Sequence, residues 1–238
     1  MVGDARRICD NGDVATTSGR SKQTTATGRQ GAGSGRRPKL RDDEVLDAAI
    51  KVFSRSGYDA ATVQAVADEL GILKGSLYHY IKTKEDLLAW IVEQVHRDVD
   101  EIIDGVMATA SLNPAERIEL FVREQTLYNL THLDLISIYH HDLDALTGAR
   151  HKRVTARRRK HHDYLLGLVR EAQDQGLADA SRDPHLLTNC VFATIIWTYR
   201  WYRPNGGFSR DAVAETCAAF ALNGIAAGRT GAAVDQSS

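Results

Sequence analysis

Residues 71–80 read GILKGSLYHY, a segment too short to own a core, with a glycine at its centre and two tyrosines and a histidine at its end. Its neighbours supply the context. Upstream, Thr62 offers an N-cap to a short helix whose face is Val63, Val66, Ala67 and Leu70, and Gly71 supplies the left-handed residue that ends it. Downstream, Thr83 opens a long helix. Asp86, three residues on, is the reciprocal partner in a capping box, and Leu88, Ile91, Val95, Val99, Ile102 and Val106 step along it by three and four. Further upstream, Val45, Ala48, Ala49, Val52 and Phe53 mark an amphipathic helix that stops at Gly57. Three short helices with a glycine turn between the second and third describe a helix-turn-helix, whose last member lies in the major groove of DNA.

That geometry accounts for the odd composition. Gly75 removes a side chain where the third helix must bring its backbone close to the duplex. Lys74 and Ser76 stand at the helix start, where free N–H groups and the dipole favour phosphate. Tyr78 and His79 present polar tips on flat bodies, while Leu77 points back into the three-helix core. Lys84 is unfavourable for the dipole of its own helix, an objection that a nearby phosphate removes. The expected DNA-contacting set is Arg41, Thr62, Val63, Lys74, Gly75, Ser76, Tyr78, His79, Tyr80 and Lys84. The competing reading makes 62–84 a small helical packing unit whose tyrosines merely cover its surface.

Outward from this segment the period stays helical. Asn113-Pro114 opens a helix to about Leu130, and others follow at about His132–Leu146, about Ala149–Gln175, from Asp183-Pro184 to near Arg203-Pro204, and from Ser209 to about Ala227. No stretch alternates with period two. The expectation is an all-α chain of about nine helices without a sheet, divided into a helix-turn-helix domain at 38–86 and a helical ligand-binding and dimerisation domain at 87–228.

The 238 residues suffice for a sizeable core. Overall the 30 basic and 31 acidic residues cancel, but residues 1–41 hold nine Lys/Arg against three Asp. Residues 1–37, rich in Gly, Ser, Thr and Arg, are expected to be disordered. They are either an inert extension or a basic arm whose Arg36–Arg41 end reaches a neighbouring minor groove. Residues 229–238 read as a flexible tail. Cys9, Cys190 and Cys217 are odd in number and lack C-x-x-C spacing, which fits a reducing cytoplasm. With no 18-residue apolar run and no signal-like start, a soluble intracellular protein is expected.

The stretch ATVQAVADELGILKGSLYHYIKTKEDLL, residues 61–88, resembles the helix-turn-helix of TetR-type bacterial transcriptional repressors. Ala67, Gly71, Gly75, Ser76, Leu77, Tyr78, Tyr80, Lys84, Glu85 and Leu87 fit that pattern, with Ile81 in place of the usual phenylalanine. The resemblance implies nine or ten helices, a homodimer formed through the last two, a palindromic double-stranded operator, and release by a small molecule. WTYRWYRPNGGFS, residues 197–209, resembles the branch that governs fatty-acid and sterol-ring catabolism, several members of which respond to acyl-CoA thioesters. For such an effector, Leu127, Tyr128, Leu135, Tyr139 and Trp197 are the expected apolar lining, with Asp142 beside them. Arg157, or its neighbours Arg153 and Arg158, would meet the phosphates. Trp201 and Tyr202 are assigned to the dimer interface. Ala193 stands where some sterol-branch relatives carry an arginine, so that contact is lacking.

Two rivals stay open: a drug-responsive repressor of an efflux pump, and a helical acyl-CoA-binding protein or enzyme without DNA binding. Catalytic residues, a cofactor and a metal site are not expected. Adjacent histidines such as His140-His141 and His161-His162 point about 100° apart on a helix and cannot chelate together. Asp142 and Asp144 lie on different faces.

Overall fold

The capping residues that punctuate the sequence punctuate the fold. The structure, a computed structural model, describes residues 41–226; the expected basic arm at 1–37 and tail at 229–238 lie outside the described residues. Helix α1 (Asp42–Ser56) opens with Asp42, Asp43 and Glu44, favourable at the positive end of a helix dipole, and Glu44 accepts the Arg41 N–H at 2.9 Å. Its stripe Val45, Ala48, Ala49, Val52 and Phe53 is buried throughout. Helix α2 (Val63–Glu69) is capped by Thr62, whose Oγ1 accepts the Ala65 N–H at 3.1 Å.

The turn out of α2 is a Schellman motif. Gly71, at φ +64°, donates its N–H to the Asp68 carbonyl at 3.0 Å, and Ile72 donates to the Ala67 carbonyl at 3.0 Å. The next helix, α3, is one turn (Lys74–Leu77), prolonged to Ile81 by bonds from the Tyr80 and Ile81 N–H groups to the Leu77 carbonyl.

Helix α4 (Lys84–Met107) begins in the expected capping box between Thr83 and Asp86. Its buried stripe follows the expected register as far as Val99 and then passes to Ile103, with Ile102 half-buried. The remaining elements are α5 (Pro114–Thr131), α6 (Leu133–Asp142) with a 3₁₀ turn at Leu143–Ala145, α7 (Gly148–Asp174), α8 (Pro184–Ile196), α9 (Thr198–Trp201) and α10 (Arg210–Ile225). Asn113, Asp183 and Ser209 cap α5, α8 and α10 with their side-chain oxygens. Helices α8 and α9 correspond to the single penultimate helix expected from the sequence, broken at Trp197, so among the described residues the helix count of nine stands. At the break the Ile195 carbonyl accepts the Trp197 N–H and also the Thr198 hydroxyl, the latter at 2.7 Å. Among the described residues there is no strand, only an isolated bridge between Ala178 and Ala226.

Helix α4 runs from the three-helix reading unit into the body, where α7 lies beside it and α5, α8 and α10 complete the packing. Two polar joints tie the halves together. Ser54 of α1 donates to Asp134 of α6 at 2.8 Å. At the first turn of α4, Arg150 of α7 pairs with Glu85 at 3.2 Å and with Asp86, and Glu85 accepts the Thr147 N–H at 3.0 Å.

Gly71→Ala isolates one constraint. A Cβ there would meet nothing within 4 Å, so only the left-handed backbone opposes it. The variant is expected to lose about 1–2 kcal/mol, measured as a lowered urea midpoint.

Candidate nucleic-acid interface and effector cavity

The one-turn α3 divides its residues between two sides. Leu77 is fully buried against the three-helix core, while Lys74, Gly75, Ser76, Tyr78 and His79 are exposed. Thr62, at the start of α2, is exposed as well; Val63 and Tyr80 are half-buried and packed on the core. The Lys74 ammonium lies 5.8 Å from the centre of the Tyr78 ring, so charge and ring share one surface. Leu73, just before the helix, is 77% exposed, an apolar residue on this polar surface that the sequence reading passed over.

Gly75 has an ordinary negative φ, and a Cβ added to it would meet nothing within 4 Å. Neither backbone strain nor internal packing therefore calls for glycine at this position. Lys84 is placed differently from expectation. Its Nζ donates to the Tyr58 carbonyl at 2.7 Å and the Asp59 carbonyl at 3.1 Å, and it sits 4.2 Å from the Tyr58 ring centre. These intramolecular partners offset its unfavourable position in the first turn of α4, and one of its three N–H bonds remains. Arg41 is exposed and engages the Asp43 carboxylate.

In the body, α4, α5, α6, α7 and α8 enclose a cavity of about 240 Å³. Val95, Val99, Ile136, Phe192 and Ile195 give it apolar walls; His96, Gln125, Asn129, Tyr139 and His161 are its buried polar groups. Exposed Arg158 and Asn189 stand at its rim. Arg158 makes no ion pair among the described residues.

The imidazoles here are neutral. Burial, reinforced by His161 and the Arg157 and Arg158 charges, holds His96 down to about 3. Burial and Arg158 hold His140 to about 4, and burial with Arg157 and Lys160 does the same to His161. His161 Nε2 lies 2.8 Å from Asp100 Oδ1, but that carboxylate is shared with Arg157 and Lys160, whose charges already balance it. His96 Nε2 lies 3.1 Å from the Tyr139 hydroxyl, which burial pushes up to about 12.

Of the residues expected to line an effector site, the structure brings Tyr139 to this cavity. Leu127 and Tyr128 border a separate open groove between α4 and α5, where the Tyr128 hydroxyl donates to Asp98 at 2.7 Å. Leu135 is part of the core, and Asp142 lies half-buried near Asp59 and Lys84, its carboxyl raised chiefly by burial. Arg157 is turned to Asp100; its neighbour Arg158, about 100° further round α7, is the one at the rim. Trp197 joins Trp201, Phe208 and Phe220, each more than half exposed, around an apolar depression of about 430 Å³ between α8–α9 and α10. Tyr202, by contrast, is buried with Leu130 and Val213.

His96, Gln125 and Asn129 escaped the sequence reading, although a signal existed. His96 falls on the stripe of Leu88, Val92, Val95 and Val99, and Gln125 and Asn129 fall on that of Ile118, Phe121 and Val122. A polar residue on the inward face of an amphipathic helix marks a polar cavity or a buried network.

A one-turn DNA-reading helix on a three-helix unit, carried by a long helix that also walls a cavity, defines a ligand-responsive helix-turn-helix regulator. Residues 45–91 match the bacterial regulatory proteins of the tetR family, and residues 111–225 match the tetracyclin repressor-like C-terminal domain. The chain is 32% identical over 198 residues to the HTH-type transcriptional repressor KstR2 of Mycolicibacterium smegmatis, covering 79% of this chain and 92% of that repressor. The ketosteroid transcriptional regulator KstR2 of Mycobacterium tuberculosis shares the fold, with a TM-score of 0.73 at 23% identity over 80% of this chain and 98% of that one. AibR in complex with isovaleryl coenzyme A and operator DNA superposes with a TM-score of 0.69 at 26% identity, over 75% of this chain and 96% of that one. The chain belongs to the tetR family; it is a DNA-binding transcription regulator and not an enzyme. Among the described residues no helix is long and apolar enough to cross a membrane.

The neutral histidines make stability depend on pH. The His96 pKa is depressed from 6.5 to about 3 by folding, so its contribution is present above pH 6.5 and is lost as pH falls toward 3. Between pH 7 and pH 5 the wild type should lose about 2 kcal/mol more than a His96→Gln variant, read from urea unfolding at each pH.

Proposed function

We propose that the chain is a homodimeric repressor that grips a palindromic operator and is released by an acyl-CoA thioester. The observation that carries the effector half is the cavity itself: apolar walls, neutral polar groups within, and at its rim an arginine without an acidic partner. At about 240 Å³ it suits a compact acyl group, whereas a whole drug-sized ligand takes roughly 300–1,000 Å³. The nucleotide part of a thioester would thus stay outside, with its phosphates near Arg158. The likeness to AibR, solved with isovaleryl coenzyme A and operator DNA, and to the KstR2 repressors supports the same reading.

In this reading residues 38–86 form the DNA-binding domain and 87–228 the effector and dimerisation domain. Lys74, Ser76 and His79 face base edges and phosphates, Tyr78 and Thr62 hold the backbone, and Leu73 meets a thymine methyl. The exposed aromatics Trp197, Trp201, Phe208 and Phe220 form the seam with a second copy, as a contiguous apolar patch of this kind marks an interface. The protein works in the cytoplasm, beside its DNA. For a hundredfold release, the effector must favour the non-binding arrangement by about 2.7 kcal/mol.

Gly75→Ala tests the docking. With no internal clash and a better helix former, the variant should be as stable as wild type or up to about 1 kcal/mol more so. In gel shifts its operator affinity should nevertheless fall at least tenfold, because the added methyl faces the duplex; unchanged affinity would refute the docking.

For the effector, isovaleryl coenzyme A and other short thioesters should raise the melting temperature by several degrees where free coenzyme A does not. They should also release operator DNA in the same concentration range. Stabilisation by cationic drugs alone would favour the efflux-pump reading instead.

A further inference from the structure

We propose that the effector carries a hydroxyl on its buried acyl part and donates it to the side-chain oxygen of Gln125. This rests on the reading that the cavity receives the acyl group of a thioester.

The orientation of two amides carries the argument. Asn129 Nδ2 donates to the Ile195 backbone carbonyl at 3.4 Å, and a carbonyl can only accept. That turns Asn129 Oδ1 toward Gln125, whose Nε2 donates to it at 3.0 Å. Flipping Gln125 would set oxygen against oxygen, so its nitrogen must face Asn129 and its Oε1 must be the free end. Gln125 is only 7% exposed, it is among the residues lining the cavity, and Oε1 is buried without a partner; the oxygen is closed to a water-sized group as it stands, so a ligand hydroxyl reaches it by a small turn of this side chain. A buried acceptor with no donor has given up its hydration for nothing. A ligand group with an O–H or N–H would restore the missing bond.

Two other polar groups that line the cavity are engaged elsewhere. His96 Nε2 is paired with the Tyr139 hydroxyl, and His161 Nε2 with Asp100. The charge around the cavity selects between donors. Arg158 stands at the rim and burial keeps the imidazoles uncharged, so a cationic amine would meet like charge without a counter-ion. A neutral hydroxyl satisfies the amide oxygen without that cost. A site built around such a bond discriminates against the analogue that lacks it, because its own polar group is then left unpaired.

The test is calorimetric titration of the full chain with butyryl- and hexanoyl-CoA and with their hydroxylated counterparts, the hydroxyl moved stepwise along the chain. One hydroxylated isomer is expected to bind about tenfold or more tightly than its parent. Gln125→Met, similar in shape and apolar at its tip, should shrink that preference to within about threefold by weakening the hydroxylated ligand. Gln125→Leu supplies the same readout should the methionine variant fold poorly. The proposal is overturned if no hydroxylated isomer outbinds its parent, or if the preference survives in the variant. If parent and hydroxylated thioesters all fail to bind while the operator is still bound, the thioester reading fails and the proposal falls with it.

Discussion

One carboxylate holds the two halves of this regulator in register. Oδ2 of Asp86 accepts the N–H groups of Lys82 and Thr83, both at 2.7 Å, and so closes the capping box that starts α4. Its other oxygen meets Arg150 at the start of α7, which also reaches Glu85. Burial works against the charge on Asp86, but the backbone donors and Arg150 outweigh it, and the carboxyl lies below its ordinary range. The first turn of α4 is thereby both the end of the reading unit and a fixed point on the body. A displacement of α4 relative to α7 has to pass through this joint, a few residues after the one-turn helix α3.

The reading unit shows how the same residue type can answer to two different demands. Gly71 is needed by the chain itself, since its left-handed φ closes the turn after α2. Gly75 is needed by nothing inside the protein: its φ is ordinary and its surroundings are open. A glycine in a helix lowers stability relative to alanine by about 1 kcal/mol. Nothing inside the chain accounts for its presence at the exposed face of α3. Lys84 makes the complementary point, because a charge that looked reserved for phosphate is largely engaged by the carbonyls of Tyr58 and Asp59.

The helices and the helix-turn-helix unit were legible in the sequence because their determinants are local. Caps such as Thr62, Asn113, Asp183 and Ser209 and the apolar stripe of α1 act within a turn or two. The cavity was not legible to the same degree, because a space between five helices is set by how far each is rotated about its own axis. An error of one residue is 100° of rotation, enough to exchange Arg157 for Arg158 and Tyr128 for Asn129. The break at Trp197 carries no glycine or proline beside it, so neither periodicity nor the usual helix punctuation registers it.

Under the proposed function, the cavity's polar interior gives up stability for coupling. Three neutral imidazoles and an unpartnered amide oxygen are poor materials for a core of this size, because a buried polar group costs free energy unless it is hydrogen-bonded. Two of the imidazoles already have partners in the Tyr139 hydroxyl and Asp100, and it is the Gln125 oxygen whose bonding a ligand would complete. Val95, His96 and Val99, all on α4, form one wall of that space. Any ligand that completes the bonding therefore bears on the helix whose first turn is joined to α7 through Asp86. Under the proposed function, coupling between effector and operator needs no separate pathway: the cavity wall and the support of the helix-turn-helix unit are the same helix, eleven residues apart between Glu85 and His96.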